Sequence, residues 1–297
     1  MRLVHLTDPH LSNLAGEKFT ALRGKRWSGY LSWRKNRSKR FLPAVLDKLT
    51  ASVRAENADQ ILLTGDLVQI GLPAEIHQAS EWLRSLGPAE QVMLVPGNHD
   101  IYAEGSAGSV SGAWSEYLYN GAESADLGVN EQFPVMRKLG RLSLVGLSSA
   151  CVTPVFMATG KLGEVQLEKL AGLLEQEAEQ GQLVCLLIHH PPLTGMTKWR
   201  KSLDDAARLQ AVMERHPPLL LFHGHLHHNR ELQWGNSRIY CTAAGSSVAD
   251  ASYRVIDIDD DGDAWNFRMT LKSIAIGERK EVEFLAVDEQ SWQVPKA

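Results

Sequence analysis

Five apolar runs in this chain end on the same kinds of polar residue, and this repetition constrains the fold more than any other feature. "LVHLTDPH" delivers Asp8 and His10, and "ILLTGD" delivers Asp66. "VMLVPGNHD" ends on Asn98, His99 and Asp100, "VCLLIHH" on His189 and His190, and "LLLFHGHLH" on His223, His225 and His227. Short apolar runs bounded by turn residues read as buried strands. Between them, "LPAVLDKLTASVRAEN", "AEIHQASEWLRSL", "GEVQLEKLAGLLEQEAEQG" and "LDDAARLQAVMERH" space their apolar residues as helices do. The alternation predicts an α/β fold, with helices covering a mostly parallel sheet. From about residue 230 the pattern changes to short strands broken by "GNS" and "DDDGD", which predicts a second sheet packed on the first. In open α/β sheets, ligands bind beyond the carboxyl ends of the strands. Five such ends carrying carboxylate, amide and imidazole groups therefore point to a metal site. Nitrogen and oxygen donors without thiolate suit Mn, Fe or Zn better than calcium or a cysteine-based structural zinc.

Composition narrows the setting. The 297 residues are 44% apolar, enough for a substantial core. No apolar run approaches the ~18 residues of a membrane span. "MRLVHLTD" has no charged region, long apolar core or cleavage site of a signal peptide, so the chain is expected to start at Met1 and to be cytoplasmic. Cys151, Cys185 and Cys241 are odd in number and far apart, as expected of buried structural thiols rather than a disulfide framework. The net charge of −4 conceals an asymmetry: residues 23 to 40, "RGKRWSGYLSWRKNRSKR", hold eight Lys or Arg and no acid. Without them the remainder carries about −12.

The strand-end residues stand as "DPH", "GDL", "GNHD", "HH" and "GHLH", in that order, between residues 8 and 227. This series resembles the signature of the calcineurin-like metallophosphoesterases. The resemblance implies an α/β fold built as a sandwich of two mixed sheets flanked by helices. It suggests a phosphoesterase domain over residues 1–270, with a basic aromatic insert at 17–41, a loop insert at 103–130 and a C-terminal extension at 271–297. It implies two divalent metal ions (Mn, Fe or Zn), one held by Asp8, His10, Asp66 and His227 and the other by Asp66, Asn98, His189 and His225. Asp66 would bridge them, offsetting the repulsion of two cations ~3.5–4 Å apart, and a bridging hydroxide would attack phosphorus. His99 is the candidate for stabilising the phosphoryl oxygens or protonating the leaving group. Asp100 is expected either to orient His99 by a hydrogen bond or to act as a turn or cap residue. Gly224 would allow close backbone approach. His223 and His228 are read as neighbours without a ligand role, and His5, His77 and His216 as ordinary histidines. His190 is a candidate substrate contact or a structural residue.

The subfamily pattern narrows the activity. Protein phosphatases continue the second motif as G-D-x-x-D-R-G and carry Glu where this chain has Asp100; here the motif reads "GDLVQIG". The lipid A pathway pyrophosphatases carry Arg where this chain has His99. "IHHPP" and "GHLHH" look most like the bacterial phosphodiesterase branch, which acts on cyclic nucleotides and glycerophosphodiesters. The expected activity is phosphodiester hydrolysis, on a lipid-linked or phospholipid substrate at a membrane surface. The alternatives are a soluble cyclic nucleotide, a nuclease, and a non-catalytic metal-binding scaffold. The choice turns on residues 23–40, where Trp27, Tyr30, Leu31 and Trp33 interleave with the cations. Such a segment fits an anionic membrane surface, with peripheral attachment to the inner membrane face. It also fits unpaired bases, or a basic helix covering the acidic body of the protein. Arg26, Trp33 and Arg34 are its candidate substrate contacts. Trp114, Tyr117 and Tyr119 of the loop insert are expected to line the pocket or to anchor the loop. Oligomeric state is not encoded in any of these features.

Overall fold

The computed structural model describes residues 1–11, 14–15, 21–120, 129–277 and 281–295. Residues 17–20 of the basic insert, 121–128 of the loop insert, and 278–280 and 296–297 of the C-terminal extension lie outside the described residues.

Two six-stranded mixed sheets face each other. In the first, β1 (Arg2–Leu6), β2 (Gln60–Leu63) and β3 (Val92–Leu94) run parallel. β10 (Ser252–Asp260), β11 (Ala264–Ile276) and β12 (Val282–Pro295) extend that sheet antiparallel from β1. In the second, β5 (Leu142–Gly146), β6 (Leu183–Leu187), β7 (Leu220–His223) and β9 (Ser237–Cys241) run parallel. β4 (Val135–Leu139) and β8 (Arg230–Trp234) close its two edges antiparallel.

The period-2 alternation of the strands sorts their side chains between two cores. Leu144, Cys185, Leu187 and Phe222 of the second sheet join Leu3 and Leu62 of the first in the layer between the sheets, where His5 also meets Phe222. The intervening residues Val145, Leu186 and Leu221 face outward onto Leu167, Leu170 and Leu174 of α6 (Glu164–Glu179) and Leu209 and Met213 of α7 (Ala206–Arg215). Helices α3 (Pro43–Ala55) and α4 (Pro73–Leu86) add Val45, Leu49, Ile76 and Leu83 to the first sheet's core.

Two details differ from the sequence reading. The α/β strands do not share one parallel sheet: β1 to β3 lie in the first and β5 to β7 in the second. The late strands are likewise divided, β8 and β9 going to the second sheet and β10 to β12 to the first. Strands β1 to β3 and β5 to β7 are buried on both faces, and an apolar run does not say which neighbour it pairs with. The boundary expected after residue 270 falls inside β11, and Phe267 stacks on Trp292 of β12 at 5.1 Å. Residues beyond 270 therefore continue the first sheet rather than trail from a finished domain.

The basic insert forms α1 (Lys25–Ser32), a π-helical turn over Trp33–Arg37 and the short α2 (Ser38–Arg40). Trp33, Ile70, Leu72 and Tyr102 pack into a small core of their own beneath it. The loop insert holds α5 (Ser106–Leu118), whose Trp114 and Tyr117, with Tyr119 just beyond, sit in the main core. These three aromatics anchor the segment and do not line the cavity over the strand ends. Among the described residues no helix is long and apolar enough to cross a membrane.

Candidate metal centre

The parallel strands of both sheets end at one rim, and the polar residues that follow them converge there. The candidate ligand atoms of Asp8, His10, Asp66 and His227 lie within 4.8 Å of one another, as do those of Asp66, His189 and His225. Asp66 belongs to both groups. The first sheet contributes Asp8, His10, Asp66 and Asn98, and the second contributes His189, His225 and His227. The two are stitched together across the rim. His189 Nδ1 donates to the carbonyl of Thr64 at 2.6 Å, and the amide of His225 donates to Asp8 Oδ2 at 3.0 Å.

The backbone is bent to achieve this. Asp8, His10, Asp66, His225 and His227 all have positive φ, between 43° and 68°. Non-glycine residues in this region cost about 1–2 kcal/mol each and gather at functional sites. Gly224 permits the tightest approach: a Cβ there would collide with Thr7 Oγ1 and the Asp8 carboxylate. The structure thus gives the close-packing role expected of that glycine a specific pair of neighbours.

Hydrogen bonds aim the donors inward. Asp8 Oδ2 takes the Thr7 hydroxyl at 2.7 Å and the His225 amide, while Oδ1 faces His227 Nε2 at 3.0 Å. Asp66 Oδ1 takes the amide of His99 at 2.7 Å, while Oδ2 faces His189 Nε2 at 3.3 Å. The Nδ1 atoms of His10 and His189 bond to the carbonyls of Val68 and Thr64, which leaves each Nε2 pointing at the carboxylates. Asp8 Oδ1, Asp66 Oδ2, Asn98 Oδ1, His189 Nε2 and His225 Nε2 are buried and make no hydrogen bond of acceptable geometry. Five unpartnered polar atoms buried in one place would be costly in a site with nothing to bind, and their convergence fits divalent cations.

The electrostatics agree with that fit. Burial works against the Asp8 carboxylate, but the nearby His227 and His189 outweigh it and hold its pKa down to about 2. Asp66 is held well below the usual range in the same way, chiefly by His189 against the cost of burial. Burial pushes His10 down to about 4 and His225 well below an ordinary histidine. Ionised carboxylates and neutral imidazoles are the forms that offer lone pairs to a metal. His189 differs: burial lowers it, yet Asp66 overrides this and lifts it to about 9. A bound cation would displace that proton.

Several candidate contacts prove to do other work. Asp100 does not orient His99. Its carboxylate accepts four backbone N–H groups, from Asp66 (2.9 Å), Leu67 (2.8 Å), Val68 (3.2 Å) and Gly97 (2.8 Å). Glu75 continues the pattern, taking the amides of Gln69, Ile70 and Leu72. Two buried carboxylates therefore hold the loop that carries Asp66. His190 is fully buried behind the rim, its Nδ1 on Ser149 Oγ at 2.8 Å and its ring against His189 and His225, so it supports ligands rather than meeting substrate. Arg26 spends its guanidinium on the carbonyls of Ile70 and Gly71 and the hydroxyl of Ser106. Trp33 is buried, and Arg34 is exposed and does not line the cavity. His223 is buried and bonds the Gly224 carbonyl, while His228 is exposed.

A cavity of about 710 Å³ opens over the rim, with Asn98, His99 and His227 at its base. Arg37, Lys25 and Tyr102 line it, and none of the three was singled out as a substrate contact from the sequence. Arg37 Nη1 stands 3.1 Å from each ring nitrogen of His99, and Nη2 donates to the Gly29 carbonyl. His99 also bonds the Gln69 carbonyl through Nδ1, and its ring stacks on Tyr102 at 5.4 Å. Burial, reinforced by Arg37, keeps its imidazole well below the ordinary pKa. Lys25 bonds Thr153 Oγ1 at 2.6 Å over the Tyr102 ring, and burial lowers its pKa to about 8. The π-helical turn was the one available signal for Arg37: such turns recur at functional sites, but they are not readable from sequence spacing. A second concavity of about 660 Å³, lined by Arg84, Pro88 and Tyr117, has no cluster of metal-ligating side chains among the described residues.

Comparison with known proteins agrees with the geometry. The model of the family described as calcineurin-like phosphoesterase matches residues 1–229. The 3',5'-cyclic adenosine monophosphate phosphodiesterase CpdA of Escherichia coli (strain K12) is 28% identical over 246 residues, covering 82% of this chain and 75% of that protein. A 3',5'-cyclic-nucleotide phosphodiesterase of Nostoc sp. is 28% identical over 172 residues, 57% of this chain and 56% of that one. Among solved structures, a dimetal phosphatase from Danio rerio superposes with a TM-score of 0.63 at 13% identity, covering 100% of this chain and 99% of the other. A purple acid phosphatase from yellow lupin gives 0.57 at 13% identity, over 98% and 53%. At such low identity these two structures establish a shared fold.

Proposed function

This chain belongs to the calcineurin-like phosphoesterase family and is a metal-dependent phosphodiesterase; we propose that two divalent cations, Mn, Fe or Zn, are held by the seven side chains at the strand ends. Asp8, His10, Asp66 and His227 hold one, Asp66, Asn98, His189 and His225 the other, and Asp66 is shared. The observation that carries this assignment is the set of buried, unpartnered donor atoms that meet at the rim. Bound there, the cations supply Lewis-acid charge and activate water as the nucleophile.

The chain's own residues do the rest. Asp100 and Glu75 hold the Asp66 loop rigid. Neutral His99, fixed by Gln69 and Tyr102, stands at the base of the cavity as a hydrogen-bonding partner for the phosphoryl group or the leaving oxygen. Arg37 and Lys25 bring positive charge to the non-bridging oxygens from the opposite wall. Tyr102 and Trp199 give the organic arms of the diester apolar surface to lie on.

A lipid-linked diester at an anionic membrane surface is the proposed substrate, supported by the cations of residues 23–40 and the exposed Trp27 and Leu31 among them. The second reading is a soluble cyclic nucleotide, favoured by the names of the CpdA and Nostoc relatives. The test is to reload metal-free protein with Mn and compare bis-p-nitrophenyl phosphate, cyclic AMP, a glycerophosphodiester and a phospholipid. Turnover of the diesters with two metals per chain is expected. A chain that binds two metals yet cleaves none of them would sink the reading, and preference for cyclic AMP would select the second one.

A further inference from the structure

We propose that the rim of the active-site cavity is a docking surface for an anionic lipid bilayer, formed jointly by α1 and by a second wall built from residues 152–158 and 198–201. The inference deepens the membrane reading above, which rested on residues 23–40 alone, and its lipid-substrate consequence depends on the phosphodiesterase reading.

The second wall carries the stronger observations. Phe156 and Trp199 line the cavity and are 84% and 67% exposed. Val152 and Val155, on the same loop as Phe156, are also exposed. Phe156 has φ of 66°, a conformation unusual for a bulky side chain, and it is held with its ring in water. The wall is a single unit: the amides of Ala158 and Gly160 donate to the carbonyls of Arg200 and Ser202. Lys198, Arg200 and Lys201 are exposed, and Arg200 lies over the Trp199 ring at 5.0 Å.

Facing this wall, α1 divides its surface. Lys25, Ser28, Gly29 and Ser32 line the cavity, while Trp27 and Leu31 are 41% and 46% exposed. Exposed Arg23, Arg34, Lys35, Lys39 and Arg40 surround that outer side. The Lys25–Thr153 hydrogen bond ties the two walls together. Residues 23–40, 152–161 and 194–203 contain no Asp or Glu, although the chain as a whole is net negative. Cations around exposed aromatics complement an anionic interface. The aliphatic members decide between a bilayer and a nucleic acid. Leu31, Val152 and Val155 have no base to stack on, but they leave water when set into the headgroup and acyl boundary. Entry of a lipid headgroup between the walls then brings its diester to the metals.

The full-length protein tested by flotation with phosphatidylglycerol–phosphatidylcholine vesicles is expected to bind, and to ignore pure phosphatidylcholine. Arg34→Gln/Lys35→Gln is expected to weaken binding roughly fivefold per charge removed. Trp27→Ser/Leu31→Ser and Val152→Ser/Val155→Ser are each expected to weaken it about tenfold or more, with hydrolysis of bis-p-nitrophenyl phosphate within about twofold of the parent. Flotation needs no turnover, so the two readings fail separately. A protein that cleaves the soluble diester but ignores anionic vesicles overturns the docking surface. One that floats but cleaves no diester overturns the enzymatic reading and leaves the surface standing. Release from vesicles by a single-stranded oligonucleotide that binds more tightly would overturn the bilayer in favour of nucleic acid.

Discussion

The strand-end cage and the basic insert make up opposite parts of one cavity, yet they relate to sequence in opposite ways. Every residue nominated for the cage arrives at the rim. In the insert, the nominated Arg26, Trp33 and Arg34 turn away from the cavity, and Arg37 and Lys25 take their place. The cage residues follow directly on strands, whose direction and ends are set locally, so one short motif fixes where its polar tip emerges. The insert is helical, and which face of a helix meets a cavity depends on what the other faces pack against. Here Trp33 is drawn into the small core with Ile70 and Leu72, and the π turn over 33–37 shifts the register so that Arg37 reaches His99. A site can thus be legible on its strand side and opaque on its helix side.

Perturbing each part tests this contrast. Asp66→Ala should have the largest effect, because it removes the carboxylate common to both metal groups. Metal content by elemental analysis should fall, and turnover should drop by about 10³-fold or more. Full occupancy in that variant would break the cage assignment. Arg37→Ala should lower kcat by about 10²–10³-fold with metal content unchanged, the loss typical of a donor to developing charge. Arg34→Ala, three residues earlier in the chain but exposed and outside the cavity lining, should leave the rate within about twofold. If the two arginines behaved alike, the register argument would fail. Trp33→Ala should cost about 3 kcal/mol by removing the centre of the small core, read as a lowered Tm with loss of rate, while Trp27→Ala leaves Tm in place.

Lys25 sharpens the comparison by its titration. Burial disfavours its charged form and brings its pKa to about 8. The cation is present below that value and lost as pH rises through it, so KM for an anionic diester should climb above about pH 8. The expected change is several-fold, no more than about tenfold. Lys25→Arg should move that limb to higher pH, because guanidinium keeps its proton. A KM that stays flat through pH 9 would place Lys25 outside the substrate's reach.

Asp100 and His190 show a subtler limit. Both lie inside the motifs, and for both the sequence left a functional and a structural role open. Asp100 holds the Asp66 loop through four amides, and His190 packs behind two ligands. Polar residue types beside a reactive site are equally suited to chemistry and to scaffolding, and only the direction of the side chain separates the two.

Sequence by itself determined the donor types, their order and their position at strand ends, because strand periodicity and the residues that break it are local properties. It also determined that one segment is cationic and free of acid. Tertiary structure decided how the strands divide between two sheets, which carboxylate serves as a clamp, and which basic residue enters the cavity. Those outcomes depend on contacts between segments tens or hundreds of residues apart: Arg37 meets His99 beside the first sheet, and His225 meets Asp8 where the two sheets come together.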